Sequence, residues 1–372
     1  MKKILIIQES LGGGGAEKVL CSVLNKFDYS KYDVTLLLWH KSGFYLDKIP
    51  EKVRVIGLFD SKCGIAEKIL FRFPGIIGDY IIGKLLRYVL DVNECYDAII
   101  SFLEGVSARI HSRLLSSGDK NVTWVHIDME RNRWSNKYFS YKRAERFYSN
   151  VDDVVFVSNG AKLAFERIFK TATRHRVIYN IQNTEEIIRL GNEALDSLPE
   201  NRFSVCCVGR LVRQKRFDRV IRVASILKTR GYDVLFRIIG SGNLKDELAG
   251  LAKASGVEDM IELVGFQSNP YKYIKASDVF LLTSESEGFS LVVAEAMILG
   301  KPVISTKVAG PTELIGDDEG GILCNEDEEE IADAVMSFYD DDDLIKRYSL
   351  AAYNRSKIFN QEEIMGKIYS LI

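Results

Sequence analysis

The chain has 372 residues, longer than one hydrophobic core usually serves, so two domains of about 180 residues each are expected. Its 47% apolar and 27% charged residues exclude a disordered chain. The formal charge of −2 hides an asymmetry: residues 1–180 hold 28 Lys/Arg against 20 Asp/Glu, and the remainder 22 against 32. Halves of opposite sign suit attraction across a cleft, and the basic half suits anionic lipid or a phosphate-bearing acceptor; a solvated, unspecific surface satisfies the same counts.

Residues 1–7 form a short strand-like segment ending at Gln8 and Glu9, without the features of a signal peptide. The apolar stretch 64–90 is broken by Lys68, Arg72, Asp79 and Lys84, so no transmembrane helix is expected. Cys21, Cys63, Cys95, Cys206, Cys207 and Cys324 show no C-x-x-C spacing, which predicts reduced thiols, a cytoplasmic chain and no zinc.

Apolar runs at 3–7, 33–39, 54–58, 98–102, 122–126, 154–157 and 176–179 predict strands in the first half. The second half repeats the pattern at 204–208, 234–239, 261–264, 279–282, 302–305 and 321–324. Helical patterns separate them, which predicts an α/β fold with two parallel sheets covered on both faces. A polar, acidic segment over 181–202, ending in Leu198, Pro199, Glu200 and Asn201, is the predicted linker. The domains are therefore placed at 1–183 and 184–358, with a final helix in 359–372 crossing back to the first. Asp340–Asp343 is a short acidic run suited to a solvated loop.

Strand ends in such sheets carry the ligands, and the motifs fall there. After the first strand come Gly12, Gly13, Gly14 and Gly15 and then a helix; the spacing fits neither the dinucleotide fingerprint nor a P-loop, leaving a ligand loop or a flexible turn. Gly209, Arg210 and Lys215 follow strand 204–208 and put two cations near a helix start, either for a pyrophosphate or as a solvated basic loop. Glu287 and Glu295 are eight apart around Gly288, Phe289 and Ser290, with Glu295 on an apolar helix face. Sugar or ribose hydroxyls would satisfy that carboxylate, and so would a structural ion pair.

His126 ends a strand two residues before Asp128, placed to contact a ligand or to cap the strand. Between 130 and 148 six basic residues interleave with Trp134, Tyr138, Phe139, Tyr141, Phe147 and Tyr148. This suits peripheral membrane contact through 131–148, a lipid-linked acceptor or an ordinary amphipathic helix; with no recognised motif for it, no nucleic-acid partner is expected.

In order and spacing these pieces resemble the retaining nucleotide-sugar glycosyltransferases of family four over nearly the whole chain. The likeness is carried by Gly14–Glu17, His126, Gly209–Lys215 and Glu287–Glu295, and continues through Gly240–Ser241–Gly242, Val264–Gly265–Phe266, Gly300–Val303 and Gly310–Leu314. The resemblance implies two Rossmann-like domains facing across a cleft, the B-type glycosyltransferase fold. It implies that Arg210 and Lys215 neutralise the donor diphosphate and that Glu287 binds the transferred sugar, with Gly288, Phe289 and Ser290 near the phosphates. Glu295 would hold the ribose, Val264 and Phe266 the base, and Gly14 and Gly15 would approach the phosphate from the other domain. His126 would sit beside the donor sugar and acceptor hydroxyl.

The implied reaction is metal-independent transfer, with retention, of a hexosyl or N-acetylhexosaminyl group from a UDP-sugar to a saccharide or lipid-linked saccharide in surface-polysaccharide or glycan assembly. No cofactor or metal is implied; Asp152–Asp153 and Asp317–Asp318 are adjacent acids in turn-like contexts. Two departures from the family pattern are Ser290 and Val292–Val293 between the glutamates, and Asp128 displaced by one position after His126. The alternatives are a nucleotide-sugar epimerase, for which only His126 offers acid/base chemistry, and an inactive partner subunit, against which the complete set Arg210, Lys215, Glu287 and Glu295 speaks.

Overall fold

The computed structural model describes residues 1–60, 76–90, 95–195, 202–316 and 320–372. Cys63, Lys68, Arg72, the linker residues Leu198–Asn201 and the acids Asp317–Asp318 lie outside them. The chain divides into two compact units, one of residues 1–181 with 361–372, the other of 182–360.

The N-terminal unit is built on seven parallel strands: β1 (Lys2–Gln8), β2 (Tyr32–His40), β3 (Arg54–Phe59), β4 (Ala98–Ser101), β5 (Asn121–Val125), β6 (Asp153–Phe156) and β7 (Arg174–Val177). Their order is β3-β2-β1-β4-β5-β6-β7. Ile4, Leu5, Ile6 and Ile7 of β1 are all buried, as a strand covered on both faces requires. The Asp153 carboxylate is fully buried at the start of β6 and is held by Lys120, Arg174 and Arg176, so the charge is paired where it leaves water. The final helix Gln361–Tyr369 belongs to this unit. Tyr369 stacks on Tyr32 at 5.3 Å and accepts a hydrogen bond from the Asp28 N–H at 2.9 Å.

The C-terminal unit has six parallel strands: β8 (Phe203–Val208), β9 (Val234–Ile239), β10 (Ile261–Gly265), β11 (Val279–Leu282), β12 (Val303–Thr306) and β13 (Gly321–Cys324). Their order is β10-β9-β8-β11-β12-β13. Its core joins Val205, Phe236 and Leu281 of the sheet to Val220, Leu227, Val335 and Phe338 of the helices Phe217–Thr229 and Glu328–Tyr339. Within the segment read as linker the structure has a helix, Thr184–Gly191, which starts where Asn183 accepts from the Glu186 N–H. Its Ile187 is buried, so a polar, acidic composition concealed one apolar face.

In both sheets the chain begins at a middle strand, works to one edge, and then resumes on the other side. The direction reverses between β1 and β4 in one unit and between β8 and β11 in the other. In open parallel sheets the ligand crevice lies beyond the carboxyl ends of the strands at that reversal.

Candidate active site

In the C-terminal unit the reversal brings together two segments that are 72 residues apart in sequence, after β8 and after β11. The first turns sharply at Gly209, whose N–H donates to Ile239 O at 3.0 Å. Gly240, at φ +145°, lies against it, and a Cβ there would sit 1.9 Å from the Gly209 carbonyl oxygen. Only glycine fits that crossing. The chain continues through a short 3-10 turn, Arg213–Lys215, to Arg216 in the left-handed region at φ 51°, and into the helix Phe217–Thr229.

The second segment is fastened to the first by hydrogen bonds to backbone carbonyls. Thr283 Oγ1 donates to the carbonyls of Lys215 and Arg216 at 3.0 and 3.1 Å, Glu285 N–H to Gln214 O at 3.0 Å, and Gln214 Nε2 to Ser286 O at 2.7 Å. Arg219 Nη1 donates to Thr283 O, and Thr306 Oγ1 to Ser284 O. This lattice fixes the Lys215 and Glu287 side chains: Lys215 Nζ lies 2.5 Å from Glu287 Oε1, which also accepts from Ser284 Oγ at 2.7 Å. Both charged groups are largely withdrawn from water, a condition tolerable only because each neutralises the other. Arg210 is exposed. It is a cation open to solvent on the segment that carries Lys215.

Beyond Glu287 the backbone swings through Ser290, in the left-handed region at φ 75° and ψ 86°, and enters the helix Leu291–Ile298. The Ser290 hydroxyl is buried with no hydrogen-bond partner. Gly310 packs so closely that a Cβ on it would lie 2.4 Å from Phe289 O, and its N–H donates to Glu287 O at 3.1 Å. Glu295 is buried in the helix, with Tyr271 Oη 3.5 Å from its Oε1. Val264 is half-buried in β10, and Phe266 just beyond it is 64% exposed.

In the N-terminal unit Gly14 precedes the helix Gly15–Asn25, but the Glu17 carboxylate lies over it: a Cβ on Gly14 would meet Glu17 Oε2 at 2.2 Å. The helix's electropositive end thus already faces an anion of its own chain. His126 follows β5 with its ring 5.1 Å from that of Phe102 and Nε2 buried without a partner. Burial pushes its imidazole down to about 3, against a hydrogen bond to the Phe102 backbone, so the ring is neutral at pH 7.

Sequence reasoning missed Glu104, whose carboxylate accepts from the His126 N–H at 2.9 Å. Burial raises it to about 7, against hydrogen bonds from the His126 backbone and the Trp134 side chain. A signal was present. Glu104–Gly105 follows β4 as Glu287–Gly288 follows β11, the corresponding strand of the other sheet.

The stretch 131–148 is partly helical. It forms a 3-10 turn, Trp134–Lys137, and a helix, Tyr141–Tyr148. Phe139, Phe147 and Tyr148 are buried, and Tyr141 stacks on Phe169 at 5.2 Å. Phe139, Phe147 and Tyr148 serve the protein core, whereas Tyr141 is exposed, as are Arg131, Arg133, Lys142 and Arg146; Arg143 pairs with Asp79. Among the described residues no helix is long and apolar enough to cross a membrane.

Two Rossmann-like units, with a paired ammonium and carboxylate and an exposed guanidinium at the sheet reversal of the second, define a glycosyltransferase architecture. Residues 194–355 match the family described as glycosyl transferases group 1. The chain is 29% identical over 378 residues to the N-acetylgalactosamine-N,N'-diacetylbacillosaminyl-diphospho-undecaprenol 4-alpha-N-acetylgalactosaminyltransferase of Campylobacter jejuni, covering 98% of this chain and 97% of the relative. It is 25% identical to the amylovoran biosynthesis glycosyltransferase AmsD of Erwinia amylovora over 99% and 98% of the two chains. Among solved structures, Anabaena Alr3699/HepE in complex with UDP and glucose matches with a TM-score of 0.78 and 20% identity, covering 100% and 99% of the chains. The chain is a glycosyltransferase of the B-type fold, similar to family four.

Proposed function

We propose that the chain transfers, with retention, a hexosyl or N-acetylhexosaminyl group from a UDP-sugar to a saccharide or lipid-linked saccharide in glycan assembly, without a metal ion. The observation that carries this reading is the Lys215–Glu287 pair at the sheet reversal, with Arg210 exposed on the segment that carries Lys215. As the sugar–phosphate bond breaks, negative charge grows on the departing diphosphate, and fixed cations stabilise that charge more than the ground state. Arg210 and Lys215 supply them. Glu287 accepts hydroxyls of the transferred sugar and keeps the Lys215 ammonium pointed at the site.

The backbone of Gly288, Phe289 and Ser290 lies at the start of a helix, where N–H groups suit phosphate oxygens. Glu295 takes the ribose, and Val264 and the exposed Phe266 take the base. Since Glu287 is already tied to Lys215, it is a poor nucleophile, which favours attack on the same face from which the diphosphate leaves, with the diphosphate taking the acceptor proton. The UDP choice is supported by the UDP named with the Anabaena structure, and the lipid-linked acceptor by the diphospho-undecaprenol in the Campylobacter relative's name.

A panel of UDP- and GDP-sugars, assayed for donor hydrolysis and transfer in EDTA, tests the reading. Turnover of a UDP-sugar that yields the same anomer and survives EDTA is expected. Inversion, or turnover abolished by EDTA and restored by a divalent cation, would overturn the corresponding part.

A further inference from the structure

The C-terminal unit has a pocket of about 580 Å³ whose lining includes Ile188, Ile298, Leu299, Leu350, Lys275 and Lys346. Ile188 comes from the helix Thr184–Gly191, and Lys346 and Leu350 from the helix Asp342–Arg355. Both helices pack against the helix Leu291–Ile298, whose carboxyl end, Ile298 with Leu299, completes the pocket. Glu287 and Ser290 precede the amino end of that same helix. The pocket and the donor loops therefore stand at its opposite ends, separated by the roughly 12 Å that its turns span.

Large apolar side chains left in water are normally scattered singly, and a group of them marks a binding surface. Of those exposed in this unit, Ile188, Leu350 and Tyr353 all line this pocket, and only Phe266 and Tyr339 lie elsewhere among the described residues. Leu350 is 62% exposed although apolar side chains line the pocket with it. The volume falls in the range of small-molecule sites, about 300–1,000 Å³.

Charge selects the rest of the ligand. Lys275 and Lys346 are exposed on the lining, which holds no acidic residue. Lys275 Nζ donates to Leu299 O at 3.2 Å, so this cation is held at the end of the helix. Lys346 Nζ lies 2.9 Å from Asp343, but both side chains are largely in water, and a bound anion can replace so weak a partner. A further ammonium, Lys301, follows Gly300 of the lining. Burial and the charge of Lys275 bring it down to about 8, against the nearby Asp278 and Cys206. An anion at Lys275 would relieve that repulsion. A sugar would find only Asn192, Ser349 and the Tyr353 hydroxyl as uncharged polar side chains, too few to replace its water.

We propose that this pocket binds an amphiphilic anion, with a carboxylate or phosphate head at Lys275 and Lys346 and a hydrocarbon tail on Ile188, Ile298 and Leu350. The inference does not depend on the donor reading.

Octanoate and octyl phosphate are the probes, titrated calorimetrically into the full chain with UDP present, so that the donor loops do not compete for the head group. Octanol and inorganic phosphate supply the tail and the head alone. One octyl anion per chain should bind, about tenfold or more tightly than either control, since burial of two methylene groups already supplies that factor. Binding of either anion supports the proposal, and the tighter of the two names the head group. Leu350→Gln and Lys346→Glu, at exposed positions, should each weaken that binding about fivefold or more. Neither should change urea unfolding, which separates lost binding from a lost fold.

No saturable binding of either anion, equal affinity for octanol, or wild-type affinity in both variants overturns the proposal. Anion binding that Leu350→Gln and Lys346→Glu weaken, in a chain that does not bind UDP, would contradict the donor reading and leave this pocket standing.

Discussion

The ammonium of Lys215 and the carboxylate of Glu287 meet at 2.5 Å across two loops that the sheet order alone brings together. The two side chains hold each other in place where neither is well hydrated, so a donor site can be preorganised before any donor arrives. Lys215→Met leaves Glu287 buried and unpaired, which costs about 3 kcal/mol of folding stability. Urea unfolding should show that loss, and Lys215→Met combined with Glu287→Gln should recover part of it. Equal stability of Lys215→Met and wild type would mean that the pair is solvated.

Arg210 should behave differently, because its side chain is exposed. Arg210→Ala is expected to change unfolding free energy by no more than about 0.5 kcal/mol, as surface substitutions do. A large destabilisation in the same urea experiment would give Arg210 a structural role and weaken its assignment to the donor.

Gly310 tests whether the backbone around Glu287 is as close as it looks. Gly310→Ala brings a Cβ against Phe289 backbone atoms within 2.5 Å, and the loop must shift. A destabilisation of about 1–3 kcal/mol is expected, with weaker UDP binding although no charge is altered. Unchanged stability and affinity would show that the segment relaxes freely.

The buried acid Glu104 makes a pH prediction. In the unfolded chain it loses its proton near the ordinary glutamate value of 4.5, and in the fold only near 7. Its favourable contribution is thus complete below about 4.5 and is lost as pH rises toward 7. Glu104→Gln should therefore gain stability on wild type across that window, by up to about 3 kcal/mol above pH 7. His111 and His126, held by burial at about 4 and about 3, act in the opposite sense. Their contribution is present above about 6.5 and is lost as pH falls, equally in both proteins. Parallel stability curves for wild type and Glu104→Gln would contradict the raised acid.

Strands were legible because parallel strands covered on both faces are written as uninterrupted apolar runs; β9 and β11, Val234–Ile239 and Val279–Leu282, are read from sequence to the residue. The positions of Arg210, Lys215 and Glu287 at strand ends were legible for the same reason. That Lys215 and Glu287 form one ion pair was not, since local sequence says nothing about which strand ends become neighbours. Glu104 was hidden by its setting, as a polar residue on the margin of an apolar run looks like the end of a strand. In the aromatic stretch 131–148, composition counts Phe147 and Tyr148 without showing that both are buried.

Transfer from a nucleotide sugar requires the C-terminal unit to hold a nucleoside diphosphate through Arg210 and Lys215. Calorimetric titration of the full chain with UDP in the presence of EDTA tests this directly, comparing wild type with Arg210→Ala. One UDP per chain is predicted, bound about tenfold or more weakly by Arg210→Ala, in keeping with a lost charge-assisted hydrogen bond. No binding to wild type, or the same affinity in both proteins, would contradict it.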